Sequence, residues 1–212
     1  MTKFLPLFPL EIVVFPGEIL NLHIFEERYR QLINECLENS TSFGIPPYIN
    51  NQLPGLGTEL KIIKLNSRYE DGKMDIVTRG ISIFKIIEFY RLVPNKLYSA
   101  AEVEDIEIIH DAKLGVKNEM TMKLQQLVKI AGIESPFQFE PNEINSFSIG
   151  HKIGLSLDQE YHLLTLAKES KRQSYIIEHL NKVIPLVSEY EKMKEKAKQN
   201  GHFKNYPPID IK

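Results

Sequence analysis

Only one cysteine, Cys36, occurs in the 212 residues, so no intramolecular disulfide can form. No apolar run approaches the ~20 residues needed to span a bilayer, and no membrane partner is expected. The 26 basic side chains are outnumbered by 28 acidic ones, giving a formal net charge of -2. No global basic field therefore exists to hold a nucleic-acid backbone. Patterns of dedicated chemistry are missing as well. There is no His-Glu-x-x-His, no Cys-x-x-Cys and no acidic calcium loop, which excludes a dedicated metal site. There is no Gly-x-Ser-x-Gly elbow and no phosphate loop Gly-x-x-x-x-Gly-Lys-[Ser/Thr]. No metal, cofactor or catalytic residue is expected. Lys3 followed by proline-broken apolar residues does not make a signal peptide, so the expected compartment is the cytoplasm.

What is present suits a globular protein. Apolar residues make up 42% of the chain and charged ones 25%, enough for a sizeable core. The opening, Leu5-Pro6-Leu7-Phe8-Pro9-Leu10 through Phe15-Pro16-Gly17, is apolar and carries three prolines. Proline donates no N–H and fixes φ, so these residues belong to strand starts, edges and turns. Phe15 is a core candidate, and His23, between Leu22 and Ile24, reads as a half-buried strand histidine.

A helix is predicted over about Glu26 to Glu38, with Tyr29, Leu32, Ile33, Cys36 and Leu37 at helical spacing; Cys36 reads as a core thiol. Phe43-Gly44-Ile45 starts a strand that Pro46-Pro47 deflects, and residues 50–57 form a loop. Two long strands, about Thr58 to Tyr69 and Lys73 to Phe89, flank Asp71-Gly72, a type I′ hairpin signal. Gly80 inside the second predicts a bulge or sharp bend. Val93-Pro94-Asn95-Lys96 is a turn, and Tyr98 to Ile109 a last strand. Such bent antiparallel strands suggest a small closed or partly closed barrel.

Helices are predicted thereafter. Asp111 is a candidate N-cap, Leu114, Met120, Leu124, Leu127, Val128 and Ala131 form one face, and Gly132 a stop. A linker with Pro136 and Pro141 leads to a short helix near Ile144 to Ile153. Ser156 and Gln159 make a capping box for a helix burying Tyr161, Leu164 and Ala167. Ile176, Ile177, Leu180 and Ile184 form the stripe of another, which Pro185 must kink or restart. Strands first and helices later make the class α+β. The division expected is a barrel over 1–110, a helical region over 111–200 and a loosely held tail over 201–212.

The opening, Gly57-Thr58-Glu59-Leu60, the Asp-Gly hairpin, Gly80-Ile81-Ser82-Ile83-Phe84, Leu97 to Glu104 and Leu155-Ser156-Leu157 with Leu163-Leu164 occur in an order that resembles the N-terminal domain of Lon-type ATP-dependent proteases over most of residues 5 to 184. The resemblance implies a PUA-like β-barrel (the pseudouridine-synthase-and-archaeosine-transglycosylase type) with one inserted helix, followed by a helical bundle. It implies a module that recognises substrate proteins, here without the motor or the Ser/Lys protease and therefore not an enzyme. The double proline at Pro46-Pro47 departs from the family pattern.

Under that reading the partners are unfolded or client polypeptides, or a protease or chaperone. Tyr48, Ile49, Leu53, Leu56 and Tyr90 are candidate peptide-binding residues, with Leu92, Val93, Leu97 and Tyr98. They stand at predicted loops and strand ends, where they either pack barrel onto bundle or form an exposed apolar patch. The Lys/Glu-rich segment Glu189 to Lys198 reads as a solvated face. A second reading is RNA binding by the barrel, for which Lys61, Lys64, Arg68, Lys73, Arg79 and Lys85 would have to converge on one face.

Overall fold

The computed structural model describes residues 2–132 and 144–201. The linker with Pro136 and Pro141 and the tail from His202 lie outside the described residues. The chain divides into two compact units, Met1–Asp111 with Asn145–Arg172, and Ala112–Ile144 with Gln173–Lys212.

In the first unit, strands β1 (Thr2–Pro6), β2 (Ile19–Ile24), β3 (Phe43–Ile45), β4 (Leu56–Arg68), β5 (Met74–Tyr90) and β6 (Ala100–Ile106) form one antiparallel sheet. The order is β1-β6-β5-β4-β3, with β2 added to β5. The regular ladder ends at β1 and β3 instead of closing. Backbone hydrogen bonds from Phe8 N–H to Gly44 O at 2.8 Å and from Tyr48 N–H to Leu10 O at 2.7 Å join the two edges only locally, and Pro46, which faces the same gap, has no N–H to add. Two isolated parallel bridges remain, Leu7 to Gly44 and Leu10 to Pro47. Lys3 on β1 also reaches Glu59 on β4 at 2.6 Å. Burial alone would push the Glu59 carboxyl upward, but hydrogen bonds from Lys3, Ser42 and Ser82 outweigh it and hold the pKa below the usual carboxylate value.

Helix α1 (Glu27–Asn39) buries Tyr29, Leu32, Ile33 and Cys36. They join Phe8, Phe43, Ile45, Leu60, Met74 and Ile76 in the main core. Burial raises the Cys36 thiol, as an inert core sulfur requires. A second apolar cluster joins Leu5, Leu7, Phe84, Ala101 and Val103. Phe15 is buried, 5.2 Å from Phe147 between ring centres. His23 is exposed and paired with Asp75 at 2.6 Å; on an edge strand its alternate face points to solvent.

The β4–β5 hairpin differs from the expected two-residue turn. Only Gly72 has positive φ, at 80°, and Gly72 N–H donates to Tyr69 O at 3.0 Å while Tyr69 N–H donates to Lys73 O at 2.9 Å. This is a three-residue loop, a type I turn followed by a left-handed glycine. Gly80 does mark a bulge: Glu59 pairs with Ser82 but Leu60 with Gly80. The glycine is required because a Cβ there would stand 2.5 Å from Phe15 O.

Helices α3 (Ser146–Ile149) and α4 (Leu157–Thr165) also belong to the first unit, joined by a 3-10 turn over Gly150–Lys152. The Ser156–Gln159 capping box forms. Tyr161 and Ala167 are only half-buried; Leu163 and Leu164 carry the α4 burial. Asp111 caps a different helix from the one beside it. Its carboxylate accepts from Ser170 N and Oγ, both at 2.8 Å, at the start of α5 (Glu169–Gly201). Beside it, Arg172 is buried with its guanidinium satisfied by Glu169 at 2.9 Å, Ser146 Oγ at 2.9 Å and two backbone carbonyls. A buried ion pair persists only when its remaining donors are met in this way.

In the second unit, α2 (Leu114–Ile130) buries Met120, Leu124 and Leu127, whereas Leu114, in the first turn, is exposed. Gly132 follows with φ of 61°. Helix α5 buries Ile176, Leu180 and Ile184 and runs unbroken through Pro185, whose exposed position leaves the freed carbonyl of Asn181 to solvent. No described helix is long and apolar enough to cross a membrane.

Candidate functional site

Three local structures of the first unit build a surface groove of about 790 Å³. The first is α1, whose N-terminal turn supplies Arg28 and Tyr29. The second is a tight turn at 49–52, where Asn50 and Asn51 both take positive φ (50° and 62°) and Ile49 and Gln52 exchange backbone hydrogen bonds at 3.0 and 2.9 Å. Two successive left-handed residues are what a type I′ turn needs, and asparagine tolerates that conformation better than other side chains. The third is the segment from Phe89 to Ser99, turned at 93–96 by Pro94 and a left-handed Asn95, with Lys96 N–H donating to Val93 O at 3.0 Å.

The floor of the groove is aromatic. Tyr29 and Tyr98 are buried, and Tyr29 stacks on Phe8 with ring centres 3.8 Å apart. The rim is apolar and open: Leu92 is 87% exposed, Leu97 58%, Phe89 42% and Tyr48 37%. Leu53 completes the apolar lining. Arg28 lies over the Tyr29 ring at 4.5 Å and pairs with Glu26 at 2.7 Å. Arg91, exposed, forms no ion pair among the described residues. Burial, then the hydrogen bond to Glu35, push the Tyr98 phenol far above its ordinary value, so it stays a protonated donor.

Of the nine candidate residues, Tyr48, Leu53, Leu92, Leu97 and Tyr98 line this groove. Ile49 is buried beneath the tight turn. Leu56 begins β4, where its N–H donates to the Tyr161 hydroxyl at 3.3 Å; that hydroxyl donates to Pro54 O at 2.8 Å and ties the loop to α4. Tyr90 ends β5 with its ring 5.9 Å from Phe4 and its hydroxyl on Glu88 at 2.8 Å, a contact that pushes its pKa up to about 12. Val93 opens the 93–96 turn outside the lining. Sequence reasoning missed Arg28, Tyr29, Phe89 and Arg91. The available signals were the paired asparagines and the aromatic end of the β5 pattern.

The six candidate basic residues do not converge. Lys61 and Arg79 are directly opposed on β4 and β5, and Lys64 opposes Val77 on the same face. Arg68 instead bonds Asn34, Lys73 pairs with Asp71, and Lys85 stands opposite Glu104. Among the described residues no cluster of three or more His, Cys, Asp or Glu is placed to hold a metal ion.

The family model for the ATP-dependent protease La (LON) substrate-binding domain matches residues 4–200. The chain belongs to that family. Two solved structures share the LON-domain fold. The Lon N-terminal domain protein from Xanthomonas campestris is 24% identical, with a TM-score of 0.65, covering 82% of this chain and 97% of its own. The N-terminal domain of Mycobacterium avium complex Lon protease is 18% identical, also with a TM-score of 0.65, over 84% of this chain and 98% of its own. At these identities the likeness speaks for the fold alone. No curated protein matches the chain.

Proposed function

We propose that this LON domain is a non-catalytic polypeptide-binding module and that the Tyr48–Leu92–Leu97 groove receives extended client segments with exposed apolar side chains. The observation that carries the reading is the gathering of Leu92, Leu97, Phe89 and Tyr48, all solvent-exposed, around one aromatic-floored depression in a chain of a substrate-binding family. Removing such side chains from water yields about 25 cal/mol per Å² before ordering costs, which makes weak, sequence-tolerant binding the natural outcome. A protein-quality-control partner presenting an apolar segment would use the same surface.

The fold reading that accompanies it is a PUA-like barrel followed by a helical bundle. The Leu7–Gly44 and Leu10–Pro47 bridges and the Lys3–Glu59 ion pair support it, since they draw the two edges of the sheet toward each other. Only Lys61, Lys64 and Arg79 share a face, while Arg68, Lys73 and Lys85 are engaged elsewhere, which gives RNA binding half of the basic surface it would need.

The test is fluorescence anisotropy with a denatured model protein and apolar peptides. Because Leu92 and Leu97 are exposed, Leu92→Asp with Leu97→Asp should keep the fold and weaken binding about tenfold or more, a loss of roughly 1.4 kcal/mol or greater. Unchanged affinity, or no binding by the unaltered chain at high micromolar concentration, would reject the reading.

A further inference from the structure

Leu97 borders a second depression of about 750 Å³ on the other side of the 95–97 segment, lined by α1, the tip of the β4–β5 hairpin and Asn95 to Leu97. Its character differs from the apolar groove. Arg30, Arg68 and Lys96 line it, together with Gln31, Asn34 and one acidic residue, Glu27. Lys96 is neutralised by Glu35 at 2.7 Å. The two guanidiniums are not neutralised. Arg30 donates to the backbone carbonyl of Asp71 at 2.7 Å, and Arg68 to the side-chain carbonyl of Asn34 at 2.8 Å. Neither reaches a carboxylate at ion-pair distance among the described residues; the Asp71 carboxylate, which feels the charge of Arg30, is held by Lys73 at 2.7 Å. The Arg30 Nε–H is moreover buried without an acceptor.

We propose that this depression is a carboxylate subsite that favours client segments in which an acidic side chain stands a few residues from the apolar ones. The inference rests on the polypeptide-binding reading of the adjacent groove. Guanidinium is the cation whose planar fork suits a carboxylate, and two neutral-partnered guanidiniums in one polar depression present that fork without a competing counter-ion. Leu97, on the boundary of both depressions, places the acidic residue next to the apolar contacts.

Three labelled peptides test the subsite on the full chain. They share one apolar core and differ only in a flanking Glu, Gln or Lys. The Glu peptide is expected to bind about fivefold to tenfold tighter than the Gln peptide at low salt, with the preference shrinking as ionic strength rises. Arg30→Gln with Arg68→Gln should level the three affinities and leave the Gln peptide unchanged. Arg68→Gln alone, at an exposed position, should reduce the preference without any folding penalty. Equal affinity of the Glu and Gln peptides for the unaltered chain, or a preference that survives both substitutions, would overturn the proposal. A separate readout distinguishes the two readings. If the apolar groove binds nothing, a short acidic peptide without apolar residues should still shift the Arg30 and Arg68 Nε–H signals in NMR, and absence of those shifts overturns the subsite on its own.

Discussion

Tyr98, in the segment that walls the apolar groove, donates its phenolic proton to Glu35 on α1. The same carboxylate takes Lys96 at 2.7 Å, while neighbouring Gln31 receives Leu97 N–H at 2.8 Å and donates to Asn95 O at 3.1 Å. One face of α1 thus fixes the backbone that presents Leu97. Burial raises the Glu35 carboxyl, but the hydrogen bonds from Lys96 and Tyr98 outweigh it and leave the pKa lowered. Glu35→Ala should cost about 1–2 kcal/mol in urea unfolding, since bonds to a partly exposed charge fall at the low end of their range. A lowered carboxylate pKa contributes stability above its ordinary value and loses it as pH falls through the folded value. The gap between the unaltered chain and the variant should accordingly narrow in acid.

His151 gives the opposite pH dependence. Its ring bridges Glu160 on α4 at 2.7 Å and Glu18, just before β2, at 3.1 Å, with the Phe15 ring centre 4.6 Å away. The hydrogen bond to Glu18 outweighs desolvation and, with Glu160, raises the pKa from 6.5 to about 9. A raised histidine pKa stabilises fully below the unfolded value and ceases to do so as pH rises through the folded one. Thermal melts of the unaltered chain and His151→Gln should differ most below pH 6.5 and converge above pH 9. A difference that persists unchanged to pH 10 would refute the ion-pair account.

Two glycines should respond oppositely to alanine. At Gly80 the new Cβ would stand 2.5 Å from the Phe15 carbonyl oxygen, and backbone cannot yield as a flexible side-chain tip can. A loss of about 1–3 kcal/mol in denaturant unfolding is expected. Gly115, in the first turn of α2, has nothing within 4 Å of the same position. There alanine should be neutral or gain a few tenths of a kcal/mol by lowering unfolded-chain entropy.

Features governed by near neighbours were legible in the sequence. The α1 stripe from Tyr29 to Cys36, the Ser156–Gln159 box, the Gly80 bulge and the Pro94-Asn95 turn all follow from spacing and backbone preference over a few residues. The hairpin at Gly72 was legible in place but not in type, because one extra loop residue moves the left-handed requirement onto the glycine alone. Of the candidate binding residues, five reached one groove because they sit on segments that converge; Ile49, Tyr90 and Val93 sit on the same segments but outside the lining, and Leu56 begins β4.

By itself the sequence determined a β-rich first half, an amphipathic early helix, helices after residue 111, and the family likeness, since each depends on local periodicity or on ordered motifs. Tertiary structure alone decided that Asp111 caps α5 instead of α2, that Arg172 is buried in a complete network, and that Arg28, Phe89 and Arg91 join Tyr48 and Leu92 around one groove. Asp111 with Ser170, Ser146 with Arg172 and the members of the groove are tens of positions apart, and strand register and chain reversal, which no local pattern encodes, choose which of them meet.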